Sequence, residues 1–123
     1  MFSATAEPAE FLLAGERAIF VGSCADVADV LGACFGSGGL ILTERDVSAD
    51  FFVLASGLAG ELFQKFTNYR VPLVVVVSDF GRYGERFAEL AREHAAHNAI
   101  RFVHTVDEAK AWLSSLADGS AAV

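Results

Sequence analysis

Leu73-Val74-Val75-Val76-Val77 is an unbroken aliphatic run in which every residue after the leucine is β-branched. A strand with one wet face alternates apolar and polar side chains, so a run without alternation points to a central strand of a parallel sheet, covered on both faces. Pro72 fits only the first residues of such a strand, because it lacks the amide that the ladder needs. Downstream, Ser78-Asp79 is placed as a helix N-cap, and Tyr83, Phe87, Leu90, Ala91 and His94 recur on one face of a helix ending near Asn98. Ile100 to His104 follows as the last strand. Thr105 and Glu108 have the spacing of a capping box, opening a final helix that carries Ala109, Trp112, Leu113 and Leu116 until Asp118-Gly119 ends it.

Upstream, helical spacing covers Gly57 to Tyr69. The apolar run Phe51-Phe52-Val53-Leu54 before it fits either a further strand or a buried lead-in, and Ser48 to Asp50 suggests a helical turn. Leu40 to Thr43 is a short buried strand. A helix from Cys24 to Phe35, capped by Ser23, is stopped by Gly36 to Gly39. Those glycines precede a strand, the wrong order for a phosphate-binding loop. Glu10 to Ala14, a turn at Gly15-Glu16 and Arg17 to Val21 suggest an opening β-hairpin. The expected architecture is one α/β domain over residues 1–123. It starts with an N-terminal hairpin and continues as alternating helices and strands, forming a mixed, mostly parallel sheet covered by helices. Residues 118–123 are an expected flexible tail.

The 123 residues suffice for one core without staples. Hydrophobic residues make up 54% and mean hydropathy is +0.43, an apolar balance that means either a large core or a surface that meets a partner; on the second reading a homodimer is expected. Apolar stretches such as Val71 to Val77 fall far short of a membrane span, and no secretory pattern follows Met1. No membrane partner and a cytoplasmic location are therefore expected. The net charge of -7, with nine scattered basic residues, argues against nucleic acid as a partner. Cys24 and Cys34 lie about 15 Å apart on one helix, too far to bridge. Cys24 has no histidine near it in sequence, and packing is its expected role.

On the helix from Gly57 to Tyr69, Leu58, Leu62, Phe66 and Tyr69 share one face while Glu61, Gln64, Lys65 and Asn68 share another. A solvated face with an intrahelical Glu61 to Lys65 pair explains this pattern. So does a polar surface that, with Ser56, Gly57 and adjacent loops, receives a protein or small ligand. The latter makes the chain a non-enzymatic regulatory or interaction module. Glu44 and Asp79 each follow a predicted strand, where open parallel sheets bind ligands. The alternative function is a small hydrolase or lyase using Glu44, Glu61 and Asp79 as acids and bases. Asp79-Phe80-Gly81 matches the kinase metal-binding tripeptide, but no other kinase motif accompanies it. His94 and His97 have a spacing that can present two metal ligands, but no acidic residue completes a set, and neither metal nor cofactor is expected.

The stretch Phe51-Phe52-Val53-Leu54-Ala55-Ser56-Gly57-Leu58-Ala59-Gly60-Glu61-Leu62-Phe63-Gln64-Lys65-Phe66-Thr67-Asn68-Tyr69-Arg70 resembles the bacterial family catalogued as domain of unknown function 4180. The likeness runs from about Leu40 to Trp112. It implies relatives and no activity. Ala55-Ser56 and Ser78 depart from that pattern, which has a lysine-threonine pair and a glycine there. A looser likeness links the chain to STAS domains, the anti-sigma-factor-antagonist fold, in which an opening hairpin precedes alternating helices and strands. Ser56-Gly57-Leu58 is similar to their switch-serine segment. Ala55 stands at the acceptor position and Leu54 replaces the usual aspartate, so the likeness implies the fold without the phospho-switch.

Overall fold

The computed structural model describes residues 11–94, 97 and 99–117. Four strands, β1 (Leu12–Leu13), β2 (Leu40–Thr43), β3 (Leu73–Val76) and β4 (Ile100–Val103), form one sheet in the order β1-β2-β3-β4. Every pairing is parallel. The helices are α1 (Val27–Cys34), α2 (Leu58–Asn68), α3 (Glu85–Glu93) and α4 (Val106–Ala117).

The aliphatic run is the interior strand that its composition dictates, and Leu73 through Val77 are all buried. Period-two geometry splits them between two cores. Leu73, Val75 and Val77 join Leu40, Leu42, Ile100 and Phe102 beneath α1, α2 and α3. Val74 and Val76 join Ile41 and the α4 residues Ala109, Trp112 and Leu113 on the other face. Three crossovers that each step one strand along the sheet leave their helices on one face, and α4 closes the opposite one. Gly39 sits where this closure is tightest. Its φ is +139°, and a Cβ there would lie 2.8 Å from Leu113 and 3.0 Å from the Pro72 carbonyl.

Several expectations are corrected. The opening hairpin is absent among the described residues. Leu12–Leu13 pair with Leu40–Ile41, Ala14–Arg17 form a 3-10 turn, and Val21 makes a parallel bridge to Val47. Gly15-Glu16 thus turns the chain without returning it, and the sheet is parallel instead of mixed. Glu10 lies outside the described residues, as does the Asp118-Gly119 stop. The expected helix from Cys24 begins with a 3-10 turn, Cys24–Asp26, held by the Asp26 carboxylate accepting from the Gly22 and Ser23 amides. The buried stripe starts only at Val27, so Cys24 is exposed and does not pack. Cys34 is buried, which pushes its thiol up to about 11. Phe51 to Leu54 resolves as a lead-in of two 3-10 turns, Ala49–Phe52 and Leu54–Ser56. Asp79 caps a 3-10 turn, Phe80–Tyr83, by accepting from the Gly81 amide at 3.0 Å, and α3 starts only after Gly84. The Thr105 and Glu108 capping box forms as its spacing requires.

Candidate functional site

In a parallel sheet all strands end on one edge, and helices on the faces leave a crevice there. Here β2 ends in Thr43, Ser78 stands two residues beyond the end of β3, and His104 directly follows β4. Together with Glu44, Arg45 and Val76 these line an open cleft of about 350 Å³. Thr43 is fixed by the buried carboxylate of Asp46, which accepts from the Thr43 amide at 2.8 Å and hydroxyl at 2.9 Å. That places Glu44 at the cleft wall.

The Glu44 carboxylate spans from β2 to the segment after β3. Oε1 accepts from the Tyr83 hydroxyl, and Oε2 accepts from the Ser78 amide at 3.2 Å and the Ser78 hydroxyl at 3.4 Å. The Arg82 guanidinium stands 4.0 Å away and is mostly exposed. The Tyr83 hydrogen bond, above all, holds the Glu44 carboxyl below its ordinary value, with the Ser78 amide and Arg82 acting in the same sense and burial opposing them. Burial, followed by the Glu44 hydrogen bond and charge, pushes the Tyr83 phenol up. At neutral pH the pair is therefore an ionised carboxylate beside a protonated phenol.

His104 forms the other wall. Its Nδ1 lies 3.2 Å from the Val77 carbonyl and 3.1 Å from the Ser78 carbonyl, so Nδ1 carries the proton and donates. Phe80 stacks on the ring at 4.3 Å. The cleft thus brings the Glu44 carboxylate, the Ser78 hydroxyl that donates to it, the Arg45 side chain and the His104 ring to one edge.

A second cleft of about 370 Å³ lies between residues 52–55 and residues 83–87. Tyr83 joins the two, since its ring stacks on Phe52 at 3.7 Å while its hydroxyl bonds Glu44.

Of the residues singled out from the sequence, Glu44 and Asp79 come to this edge, Glu44 bonding Ser78 beside Asp79 while Asp79 itself holds a turn. Ser56 and Gly57 open α2. The Ser56 hydroxyl donates to the Asp50 carbonyl at 2.6 Å and accepts from the Leu58 amide at 3.2 Å, and Gly57 takes a φ of 83°. Glu61, Gln64, Lys65 and Asn68 lie along the outer side of α2, half-buried or exposed. No hydrogen bond joins them to the Glu44 cleft among the described residues. The expected Glu61 to Lys65 ion pair is not formed, for among the described residues the one ion pair within 4.0 Å is Arg82 to Glu44. Tyr69, expected on the apolar face, is 58% exposed, because α2 ends at Asn68 and the ring turns to Phe35 at 5.7 Å. Sequence reasoning missed Ser78, Tyr83 and His104 as site residues. For His104 a signal existed, since it is the last residue of a predicted strand and so lies at the same edge as Glu44 and Asp79.

Fold and cleft together define an open parallel α/β domain with a polar crevice at the carboxyl edge of its sheet. The family model described as Domain of unknown function (DUF4180) matches residues 7–113, and the chain belongs to that family. No curated protein and no solved structure matches the chain.

Proposed function

We propose that the protein is a non-enzymatic binding module whose ligand is a small molecule carrying both hydrogen-bond donors and acceptors, held in the cleft between Glu44, Ser78 and His104. The observation that carries this reading is the position of the cleft at the ends of three parallel strands, lined by Glu44, Arg45, Ser78 and His104. The state of Glu44 weighs against the hydrolase or lyase alternative. A general acid or base needs a carboxyl whose proton comes and goes near working pH, whereas Glu44 is held ionised and its oxygens are engaged by Tyr83 and Ser78. Glu61 lies on α2 and does not line the cleft that holds Glu44.

A second reading keeps the outer side of α2 as a docking stripe for a protein. It is favoured by the unpaired charges of Glu61 and Lys65, which are free to meet a partner's. The proposed setting is the cytoplasm, which two free thiols suit, and the proposed working form is a homodimer with regulatory use. Among the described residues, no helix is long and apolar enough to cross a membrane.

The test is a small-molecule titration of the full chain followed by amide NMR. Shifts clustered at Thr43 to Asp46, Ser78 and His104, abolished by His104→Ala, are the expected result. Shifts clustered on Glu61, Gln64, Lys65 and Asn68 would move the site to α2. New product signals from the bound compound would establish an enzyme.

A further inference from the structure

The chain between α3 and β4 carries two histidines that the cleft does not use. His97 Nδ1 lies 3.1 Å from the Ala99 amide nitrogen and 3.1 Å from that of Ile100. Amide N–H groups only donate, so Nδ1 holds a lone pair and the ring is the neutral tautomer with its proton on Nε2. Ile100 is the first residue of β4, an edge strand. Amides on such an edge are otherwise open to water or to another chain. The His97 ring covers the first of them.

The neighbours of this ring do not welcome a charge. From the end of α3, the His94 ring stands 5.0 Å away, with its Nδ1 donating to the Leu90 carbonyl at 2.9 Å. His94 in turn packs on Phe63 of α2 and Phe102 of β4. From β4, Arg101 turns its Nε to the His97 carbonyl at 3.4 Å and lays its guanidinium over Trp112 of α4. Among the described residues, no carboxylate lies within 4.0 Å of either histidine.

We propose that His97 is an acid-released latch. Protonation at Nδ1 removes the lone pair that holds the Ala99 and Ile100 amides, and so frees the start of β4 and uncovers the edge of the sheet. Burial, and then His94, hold the imidazole below its ordinary 6.5. The folded chain thus prefers the neutral ring. The contribution of the latch to stability is complete above pH 6.5 and is lost as the pH falls from there through the lowered folded value.

Amide and imidazole NMR of the full chain between about pH 8 and about pH 5 tests this across the range where histidine charges. At the upper end, the His97 nitrogen shifts should report a bare Nδ1. The Ala99 and Ile100 amides should then move, and lose about tenfold or more of their hydrogen-exchange protection, with the same midpoint as the His97 ring. His97→Asn offers an oxygen acceptor that does not titrate, and should hold both amides across the range. A proton on Nδ1 at neutral pH, or amides unmoved through the His97 titration, would overturn the latch. So would an Asn variant that loses protection at the wild-type midpoint. Where the variant does not fold, the wild-type titration decides alone.

Discussion

Tyr83 and Glu44 stand 39 residues apart in the chain and meet in one hydrogen bond beyond the strand ends. The phenol is the largest influence lowering the Glu44 carboxyl, so Tyr83→Phe should let Glu44 titrate closer to 4.5. A carboxyl lowered by folding stabilises the fold above its ordinary value, and that contribution is lost as the pH falls through the folded value. The variant should therefore lose about 1 kcal/mol or less at neutral pH, because the site is partly open to solvent, and nothing once Glu44 is protonated in both proteins. Urea melts at about pH 7 and at a pH below the Glu44 midpoint that carboxyl NMR reports check both parts. An unchanged Glu44 titration would contradict the assignment. At this scale the sequence was half legible. The position of Glu44 was legible, because a residue just after a strand of a parallel sheet lies on the edge where the strands end. Ser78 and Tyr83 were not, since the contacts that make them site residues join chain positions 34 and 39 apart, and no local pattern encodes such contacts.

The elements were legible wherever one physical cause dominated. An aliphatic run with no polar alternation admits only a strand buried on both sides, and β3 is that strand. The spacing of Thr105 and Glu108 serves two backbone amides at once, and α4 begins there. Elements with competing causes were misjudged or left open. Gly15 marks a turn, but a turn marker does not distinguish a hairpin from a 3-10 turn that carries the chain onward. Phe51 and Phe52 have strand composition, yet they pack into an aromatic cluster with Tyr83 and Phe87 from short turns. Val75→Asp tests the β3 assignment. It places an unpaired charge at a site 1% exposed, at a cost of several kcal/mol against a total of about 5 to 15, and should leave no cooperative thermal transition. A variant melting within a few degrees of wild type would contradict it.

For the molecule as a whole, the parallel pairing of the described strands gathers the ends of β2, β3 and β4 on one edge, where the proposed cleft lies. Phe20, Phe35, Val53 and Tyr69 remain more than half exposed, and the proposed second copy of the chain would cover part of that surface. Light scattering at micromolar concentration should report about twice the 13.1 kDa of one chain, and a monomer mass there would refute self-association. Whether the cleft or the outer side of α2 is the binding surface is decided most directly by two variants compared on one compound. The compound is the one that most strongly perturbs the wild-type NMR spectrum. His104→Ala removes a cleft wall, and Glu61→Gln with Lys65→Met removes the charges of α2. Both surfaces are exposed enough that melting should change by no more than about 0.5 kcal/mol. With binding measured by calorimetry, the cleft account predicts that the His104 variant loses affinity tenfold or more, about 1.4 kcal/mol, while the α2 variant binds as wild type does. Retained binding by His104→Ala with lost binding by the α2 variant would contradict it.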